Sequence, residues 1–292
     1  MLHQVISILF PVFVLVCVGY LVGRCLKPDF RPINRINMDV FTPALVFSSL
    51  VGMPLNMGQV PLLLAALIAV VVPGIVMVPI AKFCGLSFKA WAPPHMFRNS
   101  GNLAIPLFTY TFGEIALPSA VLLFVVSACL HISLGVMLLS NGNPLKQIVK
   151  MPIFLSALLA LLINISGIGI WSPLFEATTL LGQVAVPVML LSLGAQMRHL
   201  RWDGLRVGLW CTLQSLGTGA LAFALIYTLI PLPIMQLQMM VLFTMLPPAV
   251  MNYLFAERLN IEPLNVASMV LFGNFLSIIT LPLLLTFALS LA

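Results

Sequence analysis

The chain is poor in charge. Only 7% of its 292 residues are Asp, Glu, Lys or Arg, while 61% are hydrophobic; a soluble domain carries roughly 25% charged residues. A water-facing surface cannot be built from 13 basic and 7 acidic side chains on a chain of this length, which excludes a soluble enzyme and a nucleic-acid-binding domain. The ten-residue alternation of an outer-membrane barrel is missing too, and the apolar runs are of helix length. Metal and redox chemistry lack their residues. Cys17, Cys25, Cys84, Cys129 and Cys211 are scattered, with no C-x-x-C and no His at ligand spacing, and read as buried free thiols. No H-E-x-x-H, G-x-S-x-G or P-loop occurs, so neither an enzyme nor a nucleotide-driven pump is indicated, and no cofactor or metal is expected. A basic n-region is absent from the N-terminus, and the apolar run reaching Val22 is too long for a signal peptide; it reads as a retained span.

What is present is a series of apolar stretches. An all-α membrane protein of ten transmembrane helices is expected, with spans at about 2–23, 36–53, 59–83, 91–112, 115–139, 149–168, 174–197, 204–230, 236–256 and 263–291, close to the ~20 residues that cross a bilayer. The basic residues support this register. They fall between spans 1 and 2 (Arg24, Lys27, Arg31, Arg35), between 3 and 4 (Lys82, Lys89, with Arg98 just inside span 4), between 5 and 6 (Lys146, Lys150), between 7 and 8 (Arg198, Arg201, Arg206) and after 9 (Arg258). The opposite side has none. The net charge of +6 is therefore topological. It orients the protein in the cytoplasmic membrane with both termini on the non-cytoplasmic side.

A cut at the turn-rich link Ser140–Lys146 leaves five spans in each half, 1–142 and 143–292. An odd number turns the second half over, giving two inverted five-helix repeats if the halves are related. Residues 41–53 align with 185–197, matching Pro43 to Pro187, Ser48 to Ser192 and Met53 to Met197. The fourth span of each half holds a helix-breaking polar stretch: Arg98-Asn99-Ser100-Gly101-Asn102-Leu103-Ala104-Ile105-Pro106 in span 4, and Leu246-Pro247-Pro248-Ala249-Val250-Met251-Asn252-Tyr253 in span 9. Pro removes a helix donor and Gly adds backbone freedom. The opened backbone must then face protein or a wet cavity. Paired interruptions at matching positions point to a transporter's binding site, where half-helix N-termini suit an anion. Pro11, Pro73, Pro79, Pro152, Pro187 and Pro282 read instead as simple kinks.

Few ionisable residues lie at membrane depth, and each is a candidate for function. Asp39 is a cap or partner for Arg35. His131 either bonds a neighbouring helix or carries a proton. Arg98 either snorkels to the surface or faces an anionic substrate. These three are the candidates for proton coupling or gating. Asn274, Ser277 and Gln214 read as helix–helix glue.

The two broken stretches resemble motifs of the auxin efflux carrier family. Asn99–Leu107 is similar to its N-(S/T)-x5-P-L signature, and Leu246–Arg258 to its span 9 motif; Asn260–Pro263, Ala267–Gly273, Leu281-Pro282, Ile33–Ile36 and Pro43–Leu45 continue the resemblance along the chain. The length fits a compact bacterial member, of malate or malonate permease type. The resemblance implies broken helices 4 and 9 crossing at their prolines, a scaffold and dimer surface of helices 1, 2, 6 and 7, and a moving core of helices 3–5 and 8–10. It implies elevator-type alternating access and a small organic anion, a carboxylate, as substrate. The coupling ion is H⁺ or none, and a homodimer is expected. Asn99, Pro106, Pro247, Pro248 and Asn252 match substrate and crossover positions. Asn102 departs from the family, where an apolar residue is common, and joins them as an added polar group. A uniporter or channel for a small organic solute, or a non-transporting sensor, remains the alternative from the residues alone.

Overall fold

The computed structural model describes residues 2–53, 59–139 and 144–291. The chain is all-helical, with 86% of residues in helix. Its helices are α1 (Leu2–Cys25), α2 (Arg31–Ile36), α3 (Thr42–Val51), α4 (Val60–Cys84), α5 (Phe88–Met96), α6 (Ile105–Phe112), α7 (Leu117–Leu139), α8 (Pro144–Ile148), α9 (Pro152–Ser166), α10 (Ser172–Gln196), α11 (Leu205–Leu229), α12 (Ile234–Met245), α13 (Met251–Arg258) and α14 (Pro263–Leu289). Every expected stretch contains helix. Six of the helices, α1, α4, α7, α10, α11 and α14, are long and apolar enough to cross a membrane, and α9 and α12 are shorter apolar helices. The other expected spans are compound. A π-helical segment, Asn37–Phe41, joins α2 to α3, and a second, Ser100–Ala104, precedes α6. The link at 140–143, where the halves were divided, lies outside the described residues.

The simple kinks behave as expected. Pro11, Pro73, Pro79, Pro187 and Pro282 lie inside unbroken helices, while Pro152 sits in the first turn of α9, where its missing N–H has no helical partner to lose. All five cysteines are free, but burial was expected of them and holds only for Cys211; Cys129 is half-buried, and Cys17, Cys25 and Cys84 lie on the outer face of the protein.

Two apolar cores hold the helices together, the larger reaching from Val5 on α1 to Leu285 on α14 and the smaller gathering Trp91, Met96, Phe97 and Met269. Apolar burial cannot be the whole account, because lipid is as apolar as Leu. Close backbone approach and polar contacts add the rest. α1 lies along α10 so tightly that a Cβ on Gly19 would strike the Leu191 carbonyl, and one on Gly194 the Val16 carbonyl. On α9, Asn164 Nδ2 donates to the carbonyls of Leu50, Val51 and Met53 at 2.7–2.9 Å, satisfying the end of α3.

The α1–α10 contact gives a stability prediction. Gly194→Ala gains about 0.5–1 kcal/mol of helix propensity but forces α1 away from α10, at about 1–3 kcal/mol for an overfilled contact. The variant is expected to melt below the wild type in detergent thermal-shift measurements.

Candidate transport site at the crossing of two broken helices

Both helix breaks have a direct cause. α12 stops at Met245, and Pro247 and Pro248 follow; neither has an N–H to continue a helix. α5 carries Pro93 and Pro94 and ends at Met96, with Phe97 already extended at φ −104°, ψ 97°. The interruption falls at Phe97–Asn99, at the start of the expected Arg98–Pro106 stretch. Gly101 is inside the π turn, where Asn99 O accepts from both Leu103 and Ala104 N–H at 3.3 and 3.1 Å. Pro106 is the second residue of α6, which continues the π turn without a gap.

The two breaks satisfy each other. Arg98 and Pro248 face one another as an antiparallel bridge. Asn99 N–H donates to Pro247 O at 2.8 Å, and Ala249 N–H donates to Phe97 O at 2.9 Å. Side chains complete the junction. Asn252 Nδ2 donates to Phe97 O and Ala249 O, both at 2.9 Å. Asn99 Nδ2 donates to Asn274 Oδ1 at 2.7 Å, and Asn274 Nδ2 passes on to Pro248 O at 3.0 Å and Val270 O at 2.8 Å. α14 comes this close because Gly273 faces Pro248, where a Cβ would sit 2.7 Å from the proline Cδ. The His131 ring from α7 stacks on Phe97, centroids 4.1 Å apart with planes at 8°, and meets Phe255 at 5.4 Å.

Arg98 does not snorkel. It is 2% exposed, and its guanidinium turns inward to donate to Ser215 Oγ and, at 3.1 and 3.2 Å, to Ser215 O and Leu246 O. Among the described residues no carboxylate lies within ion-pair distance of it; the ion pairs formed are Arg31–Asp29, Arg35–Asp39 and Arg201–Asp203. A buried cation held only by neutral dipoles keeps its positive field.

Beside the crossing lies a cavity of about 200 Å³. Arg98, Asn99, Asn102 and His131 line it, as do Asn37 and Thr42, and among the described residues no acidic one does. Pro106, Pro247, Pro248 and Asn252 do not line it; the last three build the crossing itself. Gly101 and Asn102 also line it, and their N–H groups find no backbone acceptor among the described residues. A larger recess of about 1060 Å³ adjoins it through shared walls at Asn34, Met38, Gln196, Val250 and Leu254. Lys27, Arg31, Arg35, Arg198 and Arg201 make this vestibule basic, against Asp29 and Asp39. Asp39 is paired there with Arg35 at 3.5 Å, as a partner rather than a group of the deep cavity. In the loop before α2, hydrogen bonds from Arg31 hold the Asp29 carboxyl below its usual range.

Unpaired donors, a buried cation and a basic approach, with no acid in the cavity, can receive an anion. The model of the membrane transport protein family, the auxin efflux carriers, matches residues 136–285. The chain belongs to this family. The match covers just over half of the chain and includes Pro247, Pro248, Asn252 and Asn274. Members of this family are membrane transporters, not enzymes, and the protein is a multi-pass membrane transporter. No curated protein matches the chain.

Asn274, which read as helix–helix glue, has that role: from α14 it ties Asn99 to Pro248. Asn274→Leu is expected to strand Asn99 Nδ2 and Pro248 O in the protein interior, at about 1–3 kcal/mol for a buried group left unpaired, and to weaken transport. Thermal unfolding in micelles and flux in proteoliposomes measure the two effects.

Proposed function

We propose that this transporter is a secondary carrier for a small organic anion, a carboxylate, working by elevator-type alternating access in the cell membrane. In this reading ten helices form two inverted five-helix repeats, 1–142 and 143–292. The α5–α6 and α12–α13 pairs are the broken fourth and ninth spans. Helices of spans 1, 2, 6 and 7 form the scaffold and a homodimer surface, and spans 3–5 and 8–10 move. Both termini lie on the non-cytoplasmic side, with the basic vestibule opening to the cytoplasm, as the positive-inside bias requires. Asn99 and Asn102, with Arg98, take the carboxylate, and Pro247, Pro248, Asn252 and Pro106 shape the crossing that presents them.

The observation that carries this reading is the cavity against the crossing, lined by Arg98, Asn99, Gly101 and Asn102 and, among the described residues, by no acid. A carboxylate supplies the counter-charge the site lacks. Counterflow distinguishes a carrier from a channel, since a channel shows no exchange of bound solute.

In proteoliposomes, preloaded mono- and dicarboxylates are expected to drive saturable counterflow, and the reading fails if none is exchanged under any gradient. Asn99→Ala should raise the half-saturation concentration roughly ten- to a hundredfold, the loss of a hydrogen bond to a charged group being about 1.5–3 kcal/mol. His131 is the candidate for a coupling proton. His131→Phe preserves an aromatic stack on Phe97 and removes the titratable ring; the expected result is loss of accumulation driven by a proton gradient, and undiminished accumulation removes His131 from coupling.

A further inference from the structure

The outer face of α1 is an apolar stripe that ends in a cation. Phe10, Val14, Cys17 and Leu21 are exposed, and steps of four, three and four residues keep them on one side of the helix. Arg24 is the next position on that side. Its Nη1 donates to Tyr20 Oη at 2.8 Å, with the guanidinium carbon 6.0 Å from the Tyr20 ring centroid. Tyrosines are enriched at the headgroup level of a bilayer.

The fold brings two more cations to this helix end. α1 and α10 pack so closely that a Cβ on Gly23 would lie 2.9 Å from Ala195 Cα. Arg198, just past α10, donates from Nη1 to Gly23 O at 2.9 Å, which places it beside Arg24 across the two helix ends. Lys27 follows α1 in a left-handed backbone conformation, φ 49°, and lines the basic vestibule together with Arg198. The ion pairs formed among the described residues include none of Arg24, Lys27 and Arg198. Asp29, the acid of the same loop, is held by Arg31. Leu26, between Arg24 and Lys27, is 75% exposed.

We infer that the joined C-terminal ends of α1 and α10 bind the phosphate headgroup of an anionic phospholipid, its acyl chains lying along the Phe10–Leu21 stripe. The positive-inside bias accounts for the side of the membrane on which these cations fall, but not for their meeting at one helix junction without an acid. An apolar helix face that runs into a basic cluster has the two chemistries of such a lipid in the right order. A phosphate shared by Arg24, Lys27 and Arg198 relieves their mutual repulsion and ties α1 to α10. A zwitterionic lipid adds an ammonium to the cluster and fits less well; a soluble phosphate has no chains for the stripe. The site is separate from the cavity at the crossing and does not depend on what the carrier moves.

Thermal unfolding of the full chain in detergent micelles doped with phosphatidylglycerol or phosphatidylcholine tests this, with inorganic phosphate and glycerol 3-phosphate as chain-free probes. Phosphatidylglycerol is expected to raise the melting temperature well above the effect of phosphatidylcholine, and the chain-free probes to leave it unchanged. Arg24→Gln, Lys27→Gln and Arg198→Gln combined should raise the phosphatidylglycerol concentration for half the shift about tenfold or more. Lys82→Gln, Lys89→Gln and Arg258→Gln combined remove the same charge at other helix ends and should leave it unchanged. Equal shifts with the two lipids overturn the site and leave the stripe to bulk lipid or a second copy of the chain. Equal weakening by both triple variants overturns it in favour of general surface charge, and a full shift with glycerol 3-phosphate in favour of a soluble anion. If the first triple variant does not fold, Arg24→Gln with Lys27→Gln, which keeps the Arg198 contact to Gly23, decides by the same comparison. The readout is melting, so the outcome stands apart from the transport reading.

Discussion

A backbone N–H or carbonyl left alone in hydrocarbon costs several kcal/mol, and two interrupted helices meet that cost by bonding each other. Phe97 O is the pivot: it accepts from Ala249 N–H and from Asn252 Nδ2. Asn99 N–H closes the reverse bond to Pro247 O. Breaking either helix alone would leave orphaned groups; breaking both at one place makes them partners. The position of α14 depends on the same junction, since Asn274 reaches Asn99 and Pro248 only where Gly273 lets the backbones approach.

The crossing also explains how a buried arginine is tolerated. Arg98 is adjacent to the bridge, and Leu246 O and the Ser215 carbonyl and hydroxyl receive its guanidinium. These dipoles solvate the charge without cancelling it. Other cations gather in the adjoining vestibule, so an anion moving inward from there meets positive potential throughout. Acids in that vestibule are held by arginines, as Asp29 is by Arg31 and Asp39 by Arg35, which limits how far they offset it.

Much of this was legible in the residues. Span-length apolar runs and one-sided basic loops marked the helical stretches to within a few residues, because the cost of a charge in lipid acts on every span independently. The pairing of the breaks was also legible, as two Pro- and Asn-containing stretches at matching positions. Their detail was not. Gly101 and Pro106 looked like the break, yet both lie in one helical run from Ser100 to Phe112, and the chain opens just before it, at Phe97–Asn99. Asn252, expected at the substrate and crossover positions, gives its Nδ2 to Phe97 O and Ala249 O in the crossing.

The sequence by itself determined that the chain is helical and lives in a membrane, and which two stretches cannot remain regular helix. These follow from composition and from local backbone chemistry, both readable one segment at a time. Only the tertiary structure decided which polar groups are consumed in the crossing and which are left without a partner. Asn37 and Thr42 lie far in sequence from the crossing, and the residues around them do not say whether their oxygens are paired. Whether a buried amide or hydroxyl has a partner depends on what the other helices bring to within about 3 Å of it, and that distance exists only once the chain is folded.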